Sequence, residues 1–121
     1  MVASLYQRLG GYDALAVITD EVLRLVMSDK QLSRFFGGVS VNSKRRIRQL
    51  VVDQLCAATG GPCVYIARSM RTAHEGLGIN GDGWRIFINH LIDTLDKFKV
   101  PKTDQEDLIR ITAPLKAEIV D

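Results

Sequence analysis

Apolar residues recur along this chain at intervals of three and four positions, the spacing that places side chains on one face of an α-helix. Between Tyr12 and Ser28 they occupy positions Leu15, Ile18, Val22, Leu25 and Val26. Similar stripes run from about Asn42 to Ala58 and from Gly81 to Phe98. No stretch shows the strict alternation of apolar and polar residues that is typical of a half-buried strand. The pattern therefore predicts an all-α fold.

Capping residues and helix breakers separate these stripes. Ser4 is placed to cap a short first helix that ends at Gly10-Gly11, and Gly60-Gly61-Pro62 ends the helix that begins near Asn42. The segment 103–106 has the pattern of a capping box and predicts the start of the last helix. Pro114 should kink that helix, because proline removes a backbone donor and its ring clashes with the preceding turn.

Length and composition bound the class of protein. The chain has 121 residues, of which 46% are hydrophobic and 25% charged, so we expect one globular domain over residues 1–121. No apolar run approaches the ~20 residues that cross a bilayer, and no signal-peptide pattern opens the chain. We therefore expect a cytoplasmic protein without a membrane partner. In that compartment Cys56 and Cys63 are predicted to be reduced thiols, Cys56 packed in the core and Cys63 reactive in a loop.

His74 is the most informative polar residue. It lies in the short segment 70–79, which is predicted to be helical up to Gly76 and contains few apolar residues. A neutral imidazole is a good ligand for iron, zinc or copper, although a single histidine is more often structural. Because packing alone would hold this segment poorly, a bound group such as an iron porphyrin is expected to hold it. The second histidine, His90, is predicted to be a surface residue.

Five sequence motifs, in order along the chain, resemble the group I truncated haemoglobins. They are Leu5 to Gly11, Phe35-Phe36, Gly60-Gly61-Pro62 followed by Tyr65, Met70 to Ile79, and Ala113-Pro114-Leu115. The resemblance covers essentially the whole chain. It implies a two-over-two helical sandwich around haem b.

The same resemblance implies residue roles. His74 would be the proximal ligand of the haem iron, and Arg68 and Met70 would lie near the propionates and the ring edge. Further side chains would line the haem, namely Phe35, Phe36, Ile79, Trp84, Phe87 and Ile111.

The distal side departs from the family's common pattern. Group I members usually place a tyrosine where this chain has Leu23. Counting back from Gly60-Gly61 places Ile47, Leu50 and Val51 on the distal side, whereas counting forward from Phe35-Phe36 places Lys44, Ile47 and Arg48 there. The apolar stripe of this helix favours the first alignment. Lys44 and Gln54 then remain the best candidates for a distal polar contact.

Function follows from the resemblance rather than from composition. It implies binding of oxygen, carbon monoxide or nitric oxide, and nitric oxide dioxygenation if a reductase regenerates the iron. A gas carrier or sensor without enzymatic activity is the alternative. The basic run 44–48 also fits a nucleic-acid-binding module without cofactor, but a net charge of +2 argues against it. We expect a monomer or weak homodimer.

Overall fold

Helices account for nearly all of the computed structural model, which describes residues 3–64 and 78–120. We name the α-helices α1 (Leu5–Leu9), α2 (Gly11–Ser28), α3 (Val41–Ala58), α4 (Gly81–Lys97), α5 (Lys102–Thr112) and α6 (Lys116–Ile119), with 3-10 turns at Ser33–Phe36 and Ala113–Leu115. These two described ranges contain no strand. The all-α prediction is confirmed.

The start of the chain folds as its cap predicts. The Ser4 hydroxyl accepts a hydrogen bond from the Gln7 N–H, and the Gln7 side chain accepts one from the Ser4 N–H. Gly10 ends α1 in the left-handed conformation, with φ of 106°. A β-carbon at this position would lie 2.9 Å from that of Ala14, so the tight junction with α2 requires glycine.

Helix α2 is at the centre of the molecule. It packs against α1, α3 and α4, whereas α3 and α4 make few contacts with each other. The side chains with no exposed surface include Leu15 of α2, Val52 of α3, Leu95 of α4 and Leu108 of α5. The shared core thus forms around α2, and α3 and α4 each keep a face that this core does not cover. None of the described helices has the length and apolar character needed to cross a membrane.

The prediction that a capping box starts the last helix is wrong. Helix α5 begins at Lys102 with Pro101 as its cap, and the Thr103 side chain caps nothing. The acidic and amide groups of the pattern have tertiary roles, since Asp104 accepts from Arg8 at 2.7 Å and Gln105 donates to the Val100 carbonyl at 2.9 Å. Pro114 does interrupt the last helix, since it lies in the 3-10 turn that separates α5 from α6.

The cysteines correct a second prediction. Cys56 and Cys63 form a disulfide rather than two reduced thiols, with their α-carbons 5.6 Å apart. The physical reason is the turn after α3, where Gly60 adopts a positive φ and reverses the chain so that Cys63 returns to the last turn of the helix. Sequence spacing alone does not show this return, because both residues could equally lie on separate surfaces.

His90 is not the surface residue that the sequence suggested. Its side chain is 20% exposed, and Nε2 lies 2.8 Å from Oδ2 of Asp29. The hydrogen bond from His90 lowers the pKa of Asp29 below its ordinary value. This pair connects α4 to the residue that follows α2, so His90 serves the packing of two helices.

A second polar connection between α2 and α4 predicts how stability depends on pH. Glu21 accepts hydrogen bonds from Arg24 and Lys97, which lower its pKa from 4.5 to about 2. Since the folded pKa lies below the unfolded one, the contribution of Glu21 to stability is present above about pH 4.5 and is lost as the pH falls towards 2. We expect Glu21→Gln to remove this part of the pH dependence, as measured by urea unfolding between pH 2 and pH 7.

The matched control is Asp93→Asn, which removes an exposed carboxylate from the same helix as Lys97. It should leave the slope of stability against pH close to that of the unmodified protein. If Glu21→Gln and Asp93→Asn change this slope equally, the bridge from α2 to α4 is not its source.

Candidate functional site

Helix α3 has two faces of different character, and one of them packs against α2. Val52 and Cys56 are fully buried on this side. Toward the start of the helix the contact becomes polar, because Arg48 Nε donates to Asp20 at 2.8 Å and Gln49 Nε2 donates to the Tyr12 hydroxyl at 2.6 Å. These two polar side chains are therefore directed to α2. No local sequence signal identified Asp20 and Tyr12 as their partners, since both lie on another helix.

The opposite face of α3 is apolar and incompletely covered. Ile47, Leu50 and Val51 are half-buried there, and none of the three belongs to the core cluster or packs against it among the described residues. Gln54 continues the same stripe by helical spacing. Its Oε1 is buried, and no described group donates a hydrogen bond to it. This face combines apolar surface with one unsatisfied acceptor, which is typical of a site that takes a further group.

Helix α4 contributes aromatic surface. The Trp84 and Phe87 rings have centroids 5.7 Å apart and planes inclined at 43°. Phe87 also packs against the core, as do Phe36 and Ile111, whereas Trp84 does not. All four side chains are half-buried. The structure therefore anchors Phe36, Phe87 and Ile111 on the core, and each of the four predicted haem neighbours keeps part of its surface exposed.

Leu23 lies in a different setting from Ile47 and Val51. It is half-buried and lines a groove between α2 and α3, where Lys44, Arg48 and Met27 are among its neighbours along the walls. The structure thus brings Leu23 together with two of the polar residues from the alternative alignment of the distal helix. Of these, Arg48 is already engaged by Asp20.

The remaining predicted residues divide into two groups. Phe35 and Ile79 are half-buried, and the Arg34 guanidinium carbon lies 4.7 Å from the centre of the Phe35 ring. His74, Arg68 and Met70 lie outside the described residues. Their predicted roles as the proximal ligand and as contacts of the propionates and ring edge therefore stay predictions.

The all-α fold agrees with the comparisons to known proteins. The bacterial-like globin family matches residues 4–121. The chain belongs to this family. Group 1 truncated hemoglobin GlbN of Mycolicibacterium paratuberculosis is 36% identical over 117 residues, which cover 97% of this chain and 84% of that protein. The corresponding protein of Synechocystis is 34% identical over 89% of this chain and 85% of its own length.

Solved structures show the same fold. The 2/2 hemoglobin of Synechococcus, in the cyanomet state with covalently attached heme, superposes with a TM-score of 0.88 at 25% identity and covers 98% of both chains. Truncated hemoglobin of Tetrahymena pyriformis in the Fe(III) form gives 0.89 at 20% identity, also over 98% of both chains, and shows the fold alone. The two-over-two truncated globin fold is thereby established, and membership of the family implies haem-based ligand binding.

Proposed function

We propose that this globin binds one haem b through His74 and takes a diatomic gas at the iron. The observation that carries the proposal is a pair of half-buried apolar faces, one on α3 and one on α4, that lie outside the core cluster. Ile47, Leu50 and Val51 on one helix and Trp84 on the other are half-buried yet do not pack against the core. Half-buried apolar side chains outside the core are expected at a binding site, and a flat apolar cofactor would pack against them.

The residues present fit such a group. Helices α3 and α4 pack on α2 and make few contacts with each other, so each has a face that the other helix does not cover. Phe36, Phe87 and Ile111 pack against the core and are half-buried, so part of each side chain would be able to contact a bound group. The polar side chains of Arg48 and Gln49 are hydrogen-bonded to residues of α2 and so lie away from the apolar face.

Bound haem would supply an iron atom with an open coordination position for oxygen, carbon monoxide or nitric oxide. The side chains of this protein would then set the polarity around that position. Leu23 offers no hydrogen-bond donor. Arg48 is paired with Asp20, so Lys44 and Gln54 are the polar residues that would be able to contact a bound gas. Lys44 lies in the groove that it shares with Leu23, and Gln54 lies on the apolar face of α3.

Two activities are compatible with this site. A protein that binds and releases gas is the simpler one, because a site without a strong distal donor favours exchange over retention. Dioxygenation of nitric oxide to nitrate is the second, and it additionally requires an external reductase in the cytoplasm. The basic run of α3 adds little support for nucleic-acid binding, since one of its cations, Arg48, is paired with Asp20.

Spectra of the reduced, haem-containing protein test this proposal. We expect the Soret band to shift when carbon monoxide or nitric oxide is added. Nitrate formed from nitric oxide in the presence of oxygen and a reductant would assign the dioxygenase activity, and its absence with intact gas binding would assign a carrier or sensor. A reduced protein whose haem spectrum does not respond to either gas would contradict ligand binding at the iron.

Lys44 provides a further prediction, because a neutral amine is able to ligate iron. We expect a mainly high-spin spectrum with a minor low-spin fraction, which comes from iron ligated by the Lys44 amine. Lys44→Ala should abolish this fraction in absorption spectra. Arg45→Ala is the matched control, since Arg45 lines the same groove but its guanidinium stays charged. A low-spin fraction that persists in Lys44→Ala would exclude Lys44 as the ligand.

A further inference from the structure

We propose that the Cys56–Cys63 disulfide is a reversible redox site, reduced by a dithiol, whose state sets how firmly the protein holds its haem. The inference rests on the proposed haem-binding function and adds a regulatory input to it. Nothing in the apolar faces of α3 and α4 requires this crosslink, since neither cysteine lies on them. The pair instead joins the end of α3 to the loop that follows it.

The two cysteines differ in burial, which bears on the sulfur that an external thiol attacks. Cys56 is 0% exposed and belongs to the core cluster, whereas Cys63 is half-buried in the loop. Gly61 closes over the inner sulfur. A β-carbon at Gly61 would lie 2.7 Å from Cys56 Sγ and equally close to the Tyr6 ring. Cys63 also packs against the core, but it is the less buried of the two, so we expect an external thiolate to attack Cys63 Sγ.

The chemistry is a balanced thiol–disulfide exchange. The first thiolate of the dithiol attacks Cys63 Sγ, the bond between Cys56 and Cys63 breaks, and Cys56 leaves as a thiolate that takes up a proton. The second thiol of the reductant then loses its proton, attacks its own partner sulfur in the mixed disulfide and releases Cys63. In total two electrons and two protons pass to the protein, and the dithiol becomes a disulfide.

The position of the bond connects this chemistry to the haem site. Cys63 precedes His74 by eleven positions, so the crosslink fixes the start of the chain segment that contains the expected proximal ligand. The backbone hydrogen bonds of the turn, from the Gly61 N–H to the Cys56 carbonyl at 2.8 Å and from the Gly60 N–H to the Ala57 carbonyl at 3.3 Å, end two residues before Cys63. Reduction therefore frees Cys63 from α3 while the turn itself keeps its hydrogen bonds.

In a reducing compartment, which we expect for this chain, the bond would be conditional rather than permanent. Disulfides in cytosolic proteins are usually transient and serve catalysis or redox sensing. This bond has a half-buried end at Cys63 and closes a loop with a sequence separation of only seven. It therefore has the position of a sensor that releases Cys63, which precedes His74 along the chain, when dithiols are abundant.

The test compares haem release from the oxidised and reduced full-length protein. The hemin-loaded protein is treated with dithiothreitol, freed of reductant under argon, and mixed with an excess of an apoglobin that accepts the released haem. The thiol content of the protein is measured separately, from its intact mass after alkylation. We expect reduction to speed haem transfer about fivefold or more, the scale of ordinary coupling between two sites. Cys63→Ser should release haem at the reduced rate with or without prior reduction. Val64→Ala, which changes a 71% exposed neighbour and keeps the bond, should behave as the unmodified protein.

Equal transfer rates from oxidised and reduced protein of verified thiol content would overturn the proposal. A bond that stays intact throughout the dithiol treatment would overturn it as well, since the crosslink would then be permanent. The thiol content is measured independently of the haem spectrum. An oxidised protein that takes up no hemin at all would instead refute the proposed function, and the inference with it.

Discussion

His74→Gly is expected to abolish stable haem binding. The variant removes the imidazole that we assign to the iron, and loss of a direct ligand should weaken haem affinity by more than the ~10–100-fold that the loss of an outer-shell partner causes. Reconstitution with hemin should then give no persistent Soret band after gel filtration. Imidazole added to the solution should restore part of the band, because the small ligand occupies the space that the glycine leaves.

The other histidine supplies the control for this experiment. His90→Gln retains a donor that reaches towards Asp29, and it removes the second imidazole of the chain. It should retain haem with the spectrum of the unmodified protein. The opposite pattern, with haem retained in His74→Gly and lost in His90→Gln, would show that His90 and not His74 ligates the iron.

Leu23→Tyr is expected to slow the release of oxygen by about two- to twelvefold. Bound oxygen carries partial negative charge, so a hydrogen-bond donor beside it stabilises the bound state. A neutral hydrogen bond contributes a net ~0.5–1.5 kcal/mol, which corresponds to that two- to twelvefold factor. Carbon monoxide is less polar when bound and should respond much less. Stopped-flow release rates of both gases measure the difference.

Leu23→Phe is the matched control, since it adds the ring without the hydroxyl. The slower release should appear in Leu23→Tyr and not in Leu23→Phe. Equal rates in the two variants would mean that a side chain at position 23 does not reach the gas. The groove that Leu23 shares with Lys44 and Arg48 would then be separate from the distal side.

The sequence predicted the helices well because their stripes and caps are local properties. Ser4 and Gln7 form the cap of α1 from residues three positions apart, and Pro114 interrupts the last helix through its own ring. The failures concern groups whose partners lie on other elements. The segment 103–106 has the residue pattern of a capping box, yet Asp104 accepts a hydrogen bond from Arg8 of α1.

The candidate site shows the same division. Helical spacing separated Ile47, Leu50 and Val51 from Arg48 and Gln49, and the structure directs the last two to Asp20 and Tyr12. Spacing did not reveal that Cys63 returns to Cys56, nor that His90 pairs with Asp29, because each contact depends on how the chain turns between elements. The role of His74 rests on the family resemblance and on chemistry.

The most direct test of the central claim is a titration of the haem-free protein with hemin, followed by its Soret absorbance. We predict a sharp, shifted band that rises linearly and stops at one hemin per chain, together with a spectrum that differs from that of free hemin. Absorbance that continues to rise with the spectrum of free hemin, without a break at one equivalent, would contradict haem binding by this protein.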